Sequence, residues 1–256
     1  MPTVLLESKN NISYISLNRA ERYNALNKEM LEDLLKVLVQ VEKNDDKIVI
    51  LSGEGKAFCA GGDIAMMKDF AKKEFYDQVM SAIEEIILKL YKLNKIVISA
   101  IQGSAAGLGL SLALTADYVI AQKQAKLGML FIGIGLAPDG GGHFWLNERL
   151  GTQKAKHFIW NMRQVKGDEA EFMGLTDIVT DNPVVEEATK VGEQILSTPI
   201  TAMLKTKMVY HNEKEATLRR YLKEEIKAQW ELKNTEDHQE GVSAFLEKRK
   251  PVFKGR

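Results

Sequence analysis

Two short runs rich in isoleucine and valine, each followed within a few residues by a glycine-rich segment, constrain the fold of this chain more than any other feature. Residues 48–51 precede the segment 58–64, and residues 95–98 precede the segment 101–109. Aliphatic runs without polar alternation are typical of parallel strands that are buried on both faces of a sheet. Glycine and alanine after such a strand allow the main chain to approach a ligand that larger side chains would exclude. The two units therefore predict an α/β protein with a mainly parallel sheet, whose loops expose backbone amides.

The glycine-rich segments also indicate a type of chemistry. Neither segment supplies an obvious nucleophile, but both expose N–H groups. Backbone amides that converge on one point can hold a carbonyl oxygen as it gains negative charge, which leaves proton transfer to a separate residue. The alternative interpretation is that Gly61, Gly62 and residues 107–109 only form tight turns, the usual role of glycine clusters.

Composition excludes several classes of protein. A chain of 256 residues with 45% hydrophobic content can bury a substantial core. Its 35 basic residues balance 35 acidic ones, so no overall field attracts nucleic acid or an anionic membrane. The single cysteine, Cys59, excludes an intrachain disulfide, and the four histidines are too scattered to indicate a metal site. The first residues lack the features of a signal peptide, which predicts a cytoplasmic location.

One uncharged stretch, residues 96–116, is long enough to cross a bilayer. Serine, threonine and glutamine interrupt it, and three glycines lie in its middle. We interpret it as a buried strand, a turn and a helix rather than as a membrane span.

The remaining hydrophobic pattern predicts alternating strands and helices, which together give a mainly parallel sheet flanked by helices. The expected elements, in chain order, are strands over 4–7 and 12–17, a helix around 31–41, a strand over 47–51, a helix around 83–90, and strands over 95–100 and 118–120. Asn10 and Asn11 are turn residues, so the first two strands are expected to form a hairpin.

After Pro183 the pattern changes to nearly continuous helix. We expect separate helices over 200–213, 215–234 and 236–249. They carry many charges and too few apolar residues for a core of their own, so we expect them to cover the sheet or to pack on another subunit.

Five segments, in family order and spread over the whole chain, resemble the enoyl-CoA hydratase/isomerase (crotonase) family. They are residues 18–26, 58–64, 101–109, 135–142 and 240–251. The resemblance implies a crotonase-like spiral of ββα units over 1–196 and a C-terminal helical oligomerisation region over 197–256. It also implies an acyl-CoA thioester substrate, no cofactor apart from the coenzyme A of that substrate, and a homotrimer or a hexamer.

The resemblance further assigns roles to individual residues. It implies that the backbone N–H groups of Gly62 and Leu108 hold the oxygen of a thioester enolate. The residues that it places along the substrate and its coenzyme A are Arg22, Asn24, Ala25, Leu26, Ala60, Gly61, Asp63, Ile64, Gly107, Ser111 and Phe131. From sequence alone, Arg22 has two equally good interpretations: it binds a phosphate of the substrate, or it is a solvated surface arginine.

The chain departs from the family pattern at two positions. Hydratases of the family have glutamates where this chain has Ser111 and Phe131. Phenylalanine carries no proton, and serine without a base is a poor proton carrier, so ordinary hydration is not expected.

Asp139 remains as a candidate proton carrier. The run 135–141 is similar to the ring-epoxide isomerases of the phenylacetate pathway, and there and in chlorobenzoyl-CoA dehalogenase an acidic residue at the matching place does the chemistry. Apolar neighbours would raise its pKa toward the range where one group both takes and returns a proton, as isomerisation of a double bond requires. The alternative interpretation is a helix cap, because Asp139 precedes three glycines and an expected helix over 144–150.

These observations favour an enoyl-CoA double-bond isomerase. A hydratase of restricted substrate range and a CoA-thioester-binding protein without turnover remain as alternatives. Residues 109–113 approach the nucleophile elbow of hydrolases but end in alanine. Met66, Met67, Met129 and Met162 are expected either to line an acyl pocket or to fill the core, and Phe131 favours a nonpolar acyl group.

Overall fold

A computed structural model describes residues 2–256. The larger of its two sheets has six strands. Its strands, in spatial order, are β1 (Val4–Lys9), β2 (Ile12–Leu17), β3 (Ile48–Gly53), β4 (Ile96–Ile101), β6 (Tyr118–Gln122) and β9 (Ile178–Thr180). Only the β1–β2 pair is antiparallel, and every other pair in this sheet is parallel. The predicted hairpin and the predicted parallel sheet are therefore confirmed.

A second, three-stranded sheet lies beyond the ends of these strands. It consists of β5 (Ser104–Ala106), β7 (Lys126–Gly128) and β8 (Gln164–Lys166). Strand β5 follows β4 after a short turn, so the chain passes directly from the large sheet into the small one. This transition places the second glycine-rich segment at the carboxyl end of β4, an inner strand of the large sheet.

Nine α-helices in the described residues surround the sheets. They are α1 (Lys28–Lys43), α2 (Lys73–Lys92), α3 (Leu108–Ala113), α4 (Gly142–Leu150), α5 (Thr152–Trp160), α6 (Gly167–Met173), α7 (Val184–Leu196), α8 (Ile200–Leu232) and α9 (Glu236–Leu246). Three 3-10 helices occur over Ala20–Arg22, Ile64–Ala71 and Phe131–Ile134. The uncharged stretch 96–116 forms β4, β5 and α3, as predicted. Among residues 2–256, no helix combines the length and the apolar character that a membrane span needs.

The hairpin turn shows why the sequence folds this way locally. Asn10 and Asn11 both have left-handed backbone conformations, with φ of 55° and 63°. Two consecutive residues of that kind form a turn whose twist matches the twist of paired strands, and asparagine tolerates this conformation.

The large sheet is buried on both faces, as its aliphatic strands require. Val49 and Leu51 belong to the larger core beneath α1 and α2, whereas Ile48 and Ile50 belong to a smaller core beneath α7. Helix α7 lies close to this second face, because Gly192 has no side chain to hold it away from Ile12 and Ile48.

The C-terminal region differs from the expectation in one respect. The predicted break between the helices 200–213 and 215–234 was wrong, because α8 is continuous from Ile200 to Leu232. No glycine or proline lies within this stretch, so nothing in it ends a helix. Helix α9 ends at Leu246 rather than at 249. Helix α8 packs along α2 and α4, and side chains of its C-terminal half reach the loop that precedes α4.

Candidate active site

The two glycine-rich segments lie side by side. Cys59 N donates a hydrogen bond to Ser104 O at 3.0 Å, and Ala106 N donates to Cys59 O at 3.0 Å. A third segment joins them, because Leu26 N donates to Gly61 O at 2.8 Å. Three loops that are distant in sequence therefore form one continuous wall.

Glycine is required where these loops approach each other. Gly61 has a φ of +102°, and a Cβ atom there would lie 2.8 Å from Ala106 O. A Cβ atom on Gly109 would lie 2.5 Å from Cys59 O. Any side chain at either position would force the two segments apart.

Two backbone amides on this wall have no acceptor. Among the described residues, neither Gly62 N nor Leu108 N donates a hydrogen bond. Leu108 is the first residue of α3, and the first amides of a helix have no partner inside the helix. A Cβ built on Gly61 would lie 3.7 Å from Leu108 N, which shows how close the two segments are at this point.

Both amides belong to residues that line a cavity of about 360 Å³. Its wall is almost entirely apolar, and within the part of the chain that the structure describes only Asp139 and Gln229 contribute polar side chains to it. Methionine is prominent in the lining, at Met66, Met67, Met80 and Met162. Met129, in contrast, is fully buried and does not line the cavity. A cavity of this kind fits a hydrocarbon segment that carries one reactive polar group.

Among residues 2–256, Asp139 brings the only carboxyl group to the cavity. Its Oδ2 accepts a hydrogen bond from Gln229 Nε2 at 3.3 Å, whereas its Oδ1 is buried and has no partner in the described residues. Burial in apolar surroundings, and secondarily the negative charge of Glu225, raise the pKa of Asp139 well above the usual carboxyl range. An acid with a raised pKa therefore lines the cavity and is held through one of its two oxygens.

The interpretation of Asp139 as a helix cap was wrong. Helix α4 begins at Gly142 and is preceded by Gly141, and no side chain at that cap position bonds to it. The carboxylate of Glu225, on α8, accepts hydrogen bonds from Gly141 N at 2.7 Å and from His143 N at 3.0 Å. Glu225 also contacts His143 Nδ1 at 2.8 Å. A residue far along the chain caps the helix and leaves Asp139 free of that role.

The residues proposed from sequence divide into two groups. Those that line the cavity are Leu26, Ala60, Gly61, Gly62, Ile64, Gly107, Leu108, Phe131 and Asp139. Those that do not are Arg22, Asn24, Ala25, Asp63 and Ser111.

The second group includes polar side chains that hold the loops in place. The Asn24 amide donates to Glu54 O and Ala57 O, and it is fully buried. The Ser111 hydroxyl donates to Asp139 O at 2.7 Å, so it holds the main chain of the candidate acid and does not face the cavity.

Asp63 and Arg22 lie nearer to solvent. Asp63 pairs with Arg19 at 3.1 Å and accepts a hydrogen bond from Ala65 N. Arg22 is exposed in the 3-10 helix Ala20–Arg22. Its side chain is therefore accessible to an anion outside the cavity.

The raised pKa of Asp139 predicts a measurable effect on stability. Because the folded state favours its neutral form, the free energy of unfolding falls as pH rises from the ordinary carboxyl pKa, about 3.9, through the raised pKa of the folded protein. Asparagine has no charge to lose or gain, so Asp139→Asn removes this loss. The measurement is the Tm of the variant minus the Tm of wild type, obtained by differential scanning calorimetry at each pH. We expect this difference to be larger at pH 8 than at pH 4 by about 3 °C or more. The same Tm difference at both pH values would contradict this prediction.

A parallel sheet that carries such a cavity beyond its strand ends is typical of enzymes that act on small molecules. The sequence profile described as enoyl-CoA hydratase/isomerase matches residues 7–256. The chain belongs to the enoyl-CoA hydratase/isomerase family, as the resemblance implied.

Individual relatives support this assignment over the whole chain. YhaR of Bacillus subtilis, named as an enoyl-CoA hydratase/isomerase, is 44% identical over 242 residues, which cover 94% of this chain and 95% of YhaR. The 1,2-epoxyphenylacetyl-CoA isomerase of Escherichia coli is 33% identical over 261 residues, with both chains covered completely. The crystal structure of an enoyl-CoA hydratase/isomerase from Mycobacterium paratuberculosis superimposes with a TM-score of 0.89 at 25% identity, covering 95% of this chain and 98% of that one. The predicted crotonase-like fold is confirmed.

Proposed function

We propose that this protein is an enoyl-CoA isomerase that moves a carbon–carbon double bond within the acyl chain. The thioester oxygen accepts hydrogen bonds from Gly62 N and Leu108 N. The carboxylate of Asp139 removes a proton from C2 of a 3-enoyl group, and the electron pair of that bond forms an enolate with charge on the thioester oxygen. The same carboxyl group then gives the proton to C4, so that the double bond ends between C2 and C3 and no atom is gained or lost.

One observation carries this proposal: among residues 2–256, a single carboxyl group lines an apolar cavity, which is also lined by two residues whose amides have no acceptor. Activation of water for hydration normally needs a positioned base and a positioned acid. Phe131 lines this cavity and can do neither, and the Ser111 hydroxyl is engaged with Asp139 O. The side chains at the cavity therefore support a reaction with one proton carrier.

The energetics agree with that chemistry. Each oxyanion donor contributes about 10²–10³ in rate in comparable sites, because preorganised amides stabilise charge as it develops. An apolar cavity strengthens this interaction by lowering the local dielectric constant. The raised pKa of Asp139 brings the group closer to the range in which a carboxyl group serves as base and then as acid.

The cavity also supports a substrate class. Apart from Asp139 and Gln229 its wall offers an acyl group no hydrogen-bonding side chain, and the methionines adapt to flexible chains. A hydroxylated acyl group would lose hydrogen bonds to water there without replacement. We therefore propose a nonpolar enoyl chain as the substrate, carried on coenzyme A.

Product analysis separates this proposal from its alternatives. The purified protein is mixed separately with a 3-enoyl-CoA and with a 2-enoyl-CoA, and the products are followed by mass spectrometry and by absorbance of the conjugated thioester. Isomerisation gives conjugation without a change in mass. A gain of one water from the 2-enoyl-CoA would identify a hydratase, and binding without reaction would identify a protein that only binds acyl-CoA.

We also propose that the C-terminal region 197–256 forms a homotrimer or a hexamer. The support is a set of exposed apolar side chains near the end of the chain, at Phe245, Leu246, Val252 and Phe253. Large apolar groups clustered on a surface indicate an interface. Light scattering after size-exclusion chromatography is expected to give a mass of three or six chains, and a monomer at micromolar concentration would contradict this.

A further inference from the structure

We propose that Gln229 is a positioning residue, which holds Oδ2 of Asp139 and so fixes the orientation of the carboxyl group that exchanges the proton with the substrate. This inference rests on the proposed isomerase function and adds a residue to it. The sequence motifs of the family segments do not include Gln229, which lies 90 residues beyond Asp139.

The first observation is where helix α8 places its polar side chains. Glu225 and Gln229 are four residues apart, so they lie on the same face of the helix. Both side chains are buried at 3% exposure. Glu225 binds the amides at the start of α4, and Gln229 reaches the loop that carries Asp139. The helix therefore presents two buried polar groups to one short loop.

The second observation is the orientation of the Gln229 amide. Nε2 donates to Ala137 O at 2.6 Å and to Asp139 Oδ2 at 3.3 Å. A backbone carbonyl only accepts hydrogen bonds, so Ala137 requires the nitrogen at this place. Both N–H groups of the amide are then in use. Burial of an amide in an apolar wall is unfavourable without such partners, so the two bonds also stabilise Gln229 itself.

The third observation is the contrast between the two oxygens of Asp139. Oδ2 has Gln229 as its partner, and Oδ1 has none among the described residues. A carboxyl group free to rotate would exchange the positions of its two oxygens. With Oδ2 held, the carboxyl group keeps one orientation, which is the condition for efficient proton transfer.

The charges around Asp139 determine the sign of the expected effect. Glu225 on α8 lies close enough to raise its pKa, Tyr76 on α2 lies close enough for Asp139 to raise the pKa of the tyrosine, and His143 on α4 contacts Glu225. An N–H donor favours the charged carboxylate, so Gln229 opposes the influence of Glu225. Removing the donor is expected to raise the pKa of Asp139 further.

The experiment compares Gln229→Met with wild type. Methionine has a similar length and no donor, so it fills the space without either hydrogen bond. We expect kcat for a 3-enoyl-CoA to fall about 10- to 100-fold, the range for loss of a hydrogen bond to a charged group, while KM stays within about twofold. The acid limb of the plot of kcat/KM against pH should move to higher pH. Leu218→Met is the matched control, because Leu218 is buried on α8 but does not line the cavity.

Two further measurements keep the inference separate from the function on which it rests. In the Asp139→Asn background, Gln229→Met should reduce the residual kcat no further. Carbon NMR of labelled aspartate carboxyl groups should show the higher pKa of Asp139 in substrate-free Gln229→Met, whatever reaction the protein catalyses. An unchanged NMR titration and an unchanged pH profile would overturn the role of Gln229. Wild-type protein that fails to isomerise any 3-enoyl-CoA would instead overturn the proposed function.

Discussion

Asp139→Asn is expected to lower kcat for 3-enoyl-CoA isomerisation about 10²- to 10⁴-fold, the usual contribution of a positioned general acid–base. Asparagine keeps the size of the side chain and its contact with Gln229, but it cannot take a proton from C2. No other carboxyl group in the described part of the chain lines the cavity, so no neighbour there can replace Asp139. Steady-state kinetics of wild type and variant at matched pH measure the effect.

Binding provides the control for this variant. The hydrogen bonds that we propose from Gly62 N and Leu108 N to the substrate do not depend on Asp139, so calorimetric titration with a saturated acyl-CoA should give a Kd within a few-fold of wild type. Full turnover by Asp139→Asn with normal binding would exclude Asp139 as the proton carrier. Loss of binding together with turnover would assign Asp139 to the architecture of the site instead.

Leu108→Pro is expected to lower kcat about 10²- to 10³-fold relative to Leu108→Ala, because only proline removes the backbone N–H. Leu108 is the first residue of α3, a position where proline is well tolerated and where the lost N–H has no partner in the helix. The preceding residue is Gly107, which has no Cβ atom to clash with the proline ring. The backbone of α3 should therefore survive the change, and the substitution tests the amide rather than the helix.

Leu108→Ala supplies the matched control. Both variants lose the buried leucine side chain, which lies against Gly140, so both lose similar packing. Their circular dichroism and Tm values establish whether the fold is equally preserved. Equal kcat values for the proline and alanine variants would show that the amide of Leu108 does not stabilise the transition state.

Those parts of the site that depend on local sequence could be predicted. The strands before each glycine-rich segment are recognisable from their aliphatic composition, and Gly61 has a backbone conformation that glycine adopts readily. The position of Asp139 in the cavity also agrees with the expectation of apolar neighbours. Signals of this type are contained within a few residues of the chain, so no knowledge of the packing is needed.

The contributions of α8 could not be predicted in the same way. Glu225 caps a helix that begins more than 80 residues earlier, and the sequence before α4 instead suggested Asp139 as the cap. Only the packing of α8 along α4 brings Glu225 there. One signal was nevertheless present, because Leu218, Leu222, Glu225 and Gln229 recur at helical spacing on one buried face. Polar residues that continue an apolar stripe indicate buried partners, although they do not identify them.

The most direct test of the account follows deuterium through one turnover. A 3-enoyl-CoA in which deuterium replaces both hydrogens of C2 is converted by the wild-type protein. The product is examined by mass spectrometry and NMR. If one buried oxygen of Asp139 takes and returns the proton, most of the product is a 2-enoyl-CoA that retains both deuterons, one of them at C4. Complete loss of that deuteron to water, or a product heavier by one water, would contradict proton transfer by a single carboxyl group in an apolar cavity.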